Sequence, residues 1–206
     1  MDLRTAVIYV VDDDVAMLKS LERLLVGKGY KVEIFSSAQE FLAKNKYHQP
    51  ACILLDLKMP EITGLDLQKK LIIRGVRLPI IFVSGQGDVP SSVKAMKGGA
   101  VDFIVKPFKS EDLLSVVEHA LELSVKIQKE SAEQHKLQML LDKMTKREKQ
   151  VFQLVIKGLL NKQIAVELGI SEKTVKVHRG RLMEKLNVNS VAELVRMAGK
   201  SGNLSE

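Results

Sequence analysis

Four places in this 206-residue chain set a reactive side chain where a short apolar run stops. Asp12 and Asp13 follow Ala6–Val11, Asp56 follows Ala51–Leu55, Ser84 follows Pro79–Val83, and Lys106 follows Val101–Val105. Three converging carboxylates repel one another and call for a cation. Hard carboxylate oxygens with few fixed protein contacts suit Mg²⁺, which keeps several of its waters. The metal and the Lys106 ammonium would neutralise an incoming phosphoryl group. Asp56 then has the place of a nucleophile forming an aspartyl phosphate, and the Ser84 hydroxyl that of a donor to a phosphate oxygen. An aspartate after a strand is by itself an ordinary turn residue. The coincidence at four run ends is what points to phosphoryl chemistry.

A second group of residues suits a different partner. Thr145 and Glu148 have the spacing of a capping box, opening a helix with Val151, Leu154 and Val155 inward and an end at Gly158. Asn161 is expected to cap a second helix with Ile164, Ala165 and Leu168 inward. Gly169-Ile170 makes a turn, and Ser171 caps a third helix. On a 3.6-residue wheel Val175, His178, Leu182 and Leu186 fall on one side of that third helix. Lys173, Lys176, Val177 and Gly180 fall on the other, flanked by Arg179 and Arg181. A basic, partly apolar face of this kind suits the DNA major groove. Lys176 can read guanine acceptors and Val177 a thymine methyl, while Lys173, Arg179 and Arg181 hold phosphates. A solvated basic helix carries the same charge, so this helix alone does not decide. Glu184 marks where groove contact should fade. His178 sits on the core stripe with no Cys or second His at ligand spacing, and reads as packing.

The elements that must position these residues can be read from the same sequence. Residues 1–123 alternate Val- and Ile-rich runs of five or six residues with amphipathic stretches near 15–26, 38–44, 64–73, 89–97 and 110–123. Runs with little polar alternation are how strands buried on both faces of a parallel sheet read. Five strand–helix repeats imply a doubly wound α/β domain, whose ligands bind beyond the carboxyl ends of the strands. Residues 124–143, without Gly or Pro, read as a helical linker, a long helix continuing from the one near 110–123, with a break or bend before the next domain. A short coiled-coil seam is the alternative, interrupted by Gln128, Ser131 and Gln134. Residues 144–206 read as an all-α domain of four short helices with a frayed tail from residue 200. Residues 1–123 contain 16 Lys+Arg and 16 Asp+Glu, and residues 124–206 contain 16 and 9, so the whole net charge of +7 lies in the second part. That asymmetry suggests a polyanion partner for the basic domain. The lone Cys52, among apolar neighbours, reads as a buried thiol. There is no 18-residue apolar stretch and no signal-peptide pattern, so a cytoplasmic protein with no membrane role is expected. No Gly-rich phosphate loop follows a strand, which argues against a flavodoxin-like enzyme.

The motifs together resemble a known family. Val10-Val11-Asp12-Asp13-Asp14, Leu54-Leu55-Asp56-Leu57-Lys58-Met59-Pro60, Val83-Ser84-Gly85 and Lys106-Pro107-Phe108 resemble, in order, the signature segments of a two-component receiver domain. Gly158 to Ala165, Ile170 to His178 and Lys185-Leu186 resemble the LuxR-type helix-turn-helix, which would span 161–180. The whole chain is similar to the NarL/FixJ response regulators, and Gly85-Gln86-Gly87-Asp88-Val89-Pro90 points to the FixJ branch. The resemblance implies strand order 2-1-3-4-5 and phosphorylation of Asp56 by a sensor histidine kinase. It implies Mg²⁺ held by Asp13, Asp56 and the Lys58 backbone carbonyl, with Asp12 acting mainly through water, and a cis Lys106–Pro107 peptide. It makes Ser84 and Phe103 the switch residues that remodel the face formed by residues 89–123, with Lys58 and Gln86 flanking the phosphate. Phe103 reads equally as an ordinary core residue. The resemblance further implies homodimerisation on phosphorylation, paired DNA half-sites, a dimer closed through the helix near 190–198, Lys176 and Val177 as base readers, and activation of transcription by way of RNA polymerase. Such a protein is not an enzyme. Two positions depart from the pattern: Ser84 stands where threonine is frequent, and Gly180 where some relatives carry lysine.

Overall fold

The computed structural model describes residues 6–85 and 89–200. Residues 1–5, 86–88 and 201–206 lie outside the described residues, among them Gln86 and the expected tail. The chain divides into two compact units, Met1–Lys129 and Glu130–Glu206.

In the first unit, β1 (Val7–Val11), α1 (Val15–Gly27), β2 (Lys31–Phe35), α2 (Ala38–Leu42), β3 (Ala51–Leu55), α3 (Gly64–Ile73), β4 (Ile80–Ser84), α4 (Val89–Lys97) and β5 (Asp102–Val105) alternate as the apolar runs predict. The strands form one parallel sheet in the order β2-β1-β3-β4-β5. β1, β3 and β4 are buried throughout because helices cover both faces. Alternate residues feed two apolar layers. Tyr9, Val11, Ile53, Leu55 and Phe82 pack with Phe41, Leu67 and Leu71, and Ile8, Val10, Leu54 and Ile81 pack with Leu18, Leu25, Leu113 and Val117. The register aligns Val11 with Leu55, Leu55 with Phe82 and Ser84 with Val105, which sets the carboxyl ends of the strands along one edge. Side-chain caps start the helices behind them: the Asp14 carboxylate accepts from the Ala16 and Met17 amides, and the Thr63 hydroxyl accepts from the Asp66 amide.

The fifth helix, α5, runs over Ser110–Asp142. The last helix of the first domain therefore continues through the linker stretch, as the absence of Gly and Pro there predicts. Its residues are not all solvated. Ser124 is buried, and its hydroxyl accepts a 2.9 Å hydrogen bond from the Ala51 amide at the start of β3. Gln128 donates to the Gln49 carbonyl. Residues 129–136 are exposed, whereas Leu137 and Leu141 are buried in the core of the second unit. The segment predicted as a separate linker thus supplies packing to both units, and only its middle turns are free of burial.

The second unit continues with α6 (Lys146–Ile156), α7 (Asn161–Leu168), α8 (Glu172–Leu186) and α9 (Val191–Lys200), and its described residues contain no strand. Val151, Phe152, Val155, Ile164, Val175, Leu182, Leu186, Leu194 and Ala198 form its core. The Thr145–Glu148 capping box is present. Gly169 (φ +62°) and Asn187 (φ +52°) end α7 and α8 in the left-handed region. Among the described residues no helix is long and apolar enough to cross a membrane.

Candidate phosphoacceptor site and nucleic-acid interface

The carboxyl edge of the sheet gathers Asp12 from the end of β1, Asp56 from β3, Ser84 from β4 and Lys106 from β5. Asp12, Asp56 and Ser84 are 3 %, 8 % and 2 % exposed. The Lys106 Nζ lies 2.7 Å from Asp12 Oδ2 and 3.1 Å from Asp56 Oδ1, so one ammonium bridges two buried carboxylates. The backbone fixes the rest. Asp12 Oδ1 accepts from the Asp14 amide at 2.9 Å, Asp56 Oδ2 from the Lys58 amide at 2.7 Å, and the Ser84 carbonyl from the Lys106 amide at 2.8 Å. Asp13 is exposed at the rim. Phe103 is half-buried, its ring stacked on Phe82 with centroids 6.2 Å apart. The Lys106–Pro107 peptide is cis, as the resemblance predicts; the cis Gln49–Pro50 peptide carried no such expectation.

Two features of the loop after β3 escaped the motif reading. Glu61 has φ +61°, with the Ile62 amide bonded back to the Pro60 carbonyl at 2.7 Å. This three-residue turn places a non-glycine residue in a strained region, beside the reactive edge. The Glu61 carboxylate is held by the Gln39 amide of α2. Three residues on, a Cβ at Gly64 would stand 2.2 Å from the Asp56 carbonyl oxygen, so only glycine lets α3 begin this close to the strand. A glycine directly after the Thr63 cap was the available signal.

The electrostatics follow from burial. Burial pushes the Asp56 carboxyl above the usual carboxylate range; Lys106 and the Lys58 amide pull it part of the way back, and the Asp12 charge adds to the rise. Burial also works against the Lys106 ammonium, yet its hydrogen bonds and attraction to Asp12 and Asp56 outweigh it and raise its pKa. The two partners differ because the lysine has two anions, whereas Asp56 shares one cation with a second anion. Asp12, Asp13 and Asp56 against Lys106 leave an excess of negative charge on hard oxygens, which fits a divalent cation such as Mg²⁺. Among the described residues no three His, Cys, Asp or Glu side chains are grouped so as to hold a metal by themselves. Backbone and water oxygens would have to complete its shell.

The third helix of the second unit presents the face read from its sequence. Val175, Leu182 and Leu186 are buried; Lys173, Lys176, Gly180 and Arg181 are exposed, and Val177 is 47 % exposed. Glu184 is exposed near the end, and His178 is half-buried with its Nδ1 unbonded. Two residues behave differently from expectation. Leu160, not Asn161, occupies the cap position of α7, and its amide is satisfied by Gln163 Oε1 at 2.8 Å. Arg179 is half-buried and donates from Nη1 to Asn161 Oδ1 at 2.6 Å. Further ties were not legible as motifs: Arg147 Nη2 donates to the Leu168 carbonyl at 2.6 Å, and the buried Glu148 carboxylate accepts from Lys185 Nζ at 2.6 Å.

Comparison with known proteins gives two family matches. Residues 8–118 match the response regulator receiver domain, and residues 142–198 match the bacterial regulatory proteins of the luxR family. The response regulator protein TmoT of Ectopseudomonas mendocina is 49 % identical over 198 residues, covering 96 % of this chain and 90 % of that protein. The transcriptional regulatory protein FixJ of Bradyrhizobium diazoefficiens is 39 % identical over 199 residues, covering 97 % of each. Among solved structures, the response regulator StyR aligns with TM-score 0.79 at 43 % identity, covering 95 % of this chain and 99 % of that one. Full-length FixJ from B. japonicum aligns with TM-score 0.58 at 39 % identity, covering 97 % and 98 %.

Proposed function

The chain belongs to the two-component response regulators, transcription regulators that join a receiver domain to a LuxR-type DNA-binding domain, and within that family we propose that Asp56 is its phosphoacceptor and α8 its DNA-reading helix. A sensor kinase and DNA are the partners that this pairing of domains implies. The observation that carries the site assignment is the Lys106 ammonium bridging Asp12 and Asp56. Asp56 attacks the phosphorus of a phosphohistidine on the sensor kinase; the P–N bond breaks as the P–O bond forms. Lys106 is already placed to neutralise the arriving oxygens, and the Ser84 hydroxyl donates to one of them. Asp13, Asp56 and the Lys58 carbonyl would hold Mg²⁺, with Asp12 acting through water; when bound, the ion supplies charge neutralisation for the phosphoryl group.

The added charge, about −2, draws Ser84 and Phe103 and remodels the face of α4, β5 and α5. That face carries Val89, Val93, Met96 and Val105, between 43 % and 73 % exposed, a set of apolar side chains suited to a second copy of the chain. A phosphorylation-driven homodimer then places two α8 helices on paired half-sites, closed through α9, and engages RNA polymerase to activate transcription. Lys176 and Val177 read bases; Lys173 and Arg181 hold phosphates.

Incubation with Mg²⁺ and acetyl phosphate, followed by intact-mass spectrometry, tests the nucleophile. Wild type should gain one phosphoryl group and Asp56→Asn none. Equal labelling of the two sinks the assignment.

A further inference from the structure

α7 is an eight-residue helix with only Ile164 and Ala165 fully in the core, and its Val166 is 80 % exposed. Leu168, half-buried against the same core, completes a short apolar face. Its two ends are also held by arginines from its neighbours. Arg147 of α6 donates to the Leu168 carbonyl at its end, and Arg179 of α8 donates to the Asn161 side chain at its start. The Asn161 oxygen is available to Arg179 because Asn161 is the first residue of α7 and Leu160 holds the cap position. Arg179 is half-buried, unlike its neighbours Lys176, Gly180 and Arg181. In a helix-turn-helix the first helix crosses the phosphate backbone while the second enters the groove, so the angle between them sets how deeply the reading side chains reach.

We propose that Arg179 is a positioning residue rather than a phosphate contact: with Asn161 it forms a strut that fixes the angle between α7 and α8, so that Lys176 and Val177 meet base edges. A planar guanidinium with several donors in a fixed fork suits this better than a flexible ammonium. The inference rests on α8 being the DNA-reading helix.

The test uses the full chain, a duplex selected by wild type from a random pool, and a random-sequence duplex, with affinities measured over a salt series. Lys173→Ala serves as the phosphate comparator and should lower the salt slope by about one. Arg179→Ala should weaken the selected duplex about ten-fold, leave the salt slope unchanged and affect the random duplex less. Asn161→Ala should do the same, and the double variant should bind no worse than either single one, since the two residues act as one unit. Arg179→Lys, which keeps charge and approximate length, should not restore binding; it also covers the case in which the alanine variant does not fold. A salt slope lowered by about one, recovery with lysine, or additive losses would overturn the strut. If wild type does not prefer the selected duplex, or Lys176→Ala leaves the preference intact, the DNA reading of α8 fails and the strut falls with it.

Discussion

Asp56 lies buried beside a second buried carboxylate, and ionising it there costs stability. Its folded pKa is raised by burial, so the native state binds the proton more tightly than the unfolded chain. Stability therefore falls as pH rises through the unfolded aspartate value, about 3.9, up to the folded pKa, and the cost is constant above it. Asp56→Asn removes this charge while Asp12 stays bonded to Lys106. The variant should melt a few degrees above wild type at pH 7 without divalent cations, a shift on the scale expected for a chain of this size. The gap should close as the pH falls below about 4. Thermal melts between pH 3.5 and 7.5 in chelator check both parts. A variant that melts below wild type at neutral pH would mean that the Lys106 attraction outweighs burial. The residue types of this site were legible because each stands where an apolar run stops. That one ammonium hydrogen-bonds to both Asp12 and Asp56, and the burial cost this offsets, were not.

At the scale of elements, α6 and α8 share one carboxylate. Glu148 closes the capping box with the Thr145 amide at 2.8 Å and also pairs with Lys185. Losing both in Glu148→Ala should cost about 2 kcal/mol; a cap alone is worth about 1 and a buried pair more. The 39 % exposure of the Lys185 side chain leaves its half of the pair partly screened. The Glu148 carboxyl is held below its usual range, first by the Lys185 hydrogen bond and then by the Thr145 amide. Its contribution is thus complete above the unfolded value, about 4.3, and is lost as pH falls through the folded one. Urea unfolding of wild type and Glu148→Ala should differ at pH 7 and converge toward strong acid; a difference that persists there would assign the loss to packing. The cap was readable three residues apart, whereas Lys185 lies 37 positions away and was not.

For the whole molecule, the two ends of the long α5 each pack into a different unit. Ser124 satisfies the buried Ala51 amide, so a fragment of residues 1–123 leaves that donor unpaired, a cost of about 1–3 kcal/mol. A fragment of residues 1–129 keeps the bond and should melt higher. In the same way, a fragment of residues 130–206 retains Leu137 and Leu141, each 7 % exposed, and should outlast one of residues 144–206 in a thermal melt; burying a leucine is worth about 1.5–3 kcal/mol. Equal melting within either pair would show that the helix between the units is a mere connection.

By itself the sequence determined the strands, most helix starts, the basic face of α8 and the edge on which the reactive side chains meet. These depend on consecutive residues: apolar runs, 3.6-residue periodicity and caps acting within one turn. Even the meeting of Lys106 with Asp12, 94 positions apart, was legible, because a parallel sheet leaves the carboxyl ends of its strands no other edge. Only the tertiary structure decided that Ser124 of α5 bonds to Ala51, that Arg179 turns inward to Asn161, that Lys185 reaches Glu148 and that Gly64 lies against Asp56. Such contacts join residues that no period or cap relates, and the packing of whole helices selects among partners that the sequence leaves equivalent.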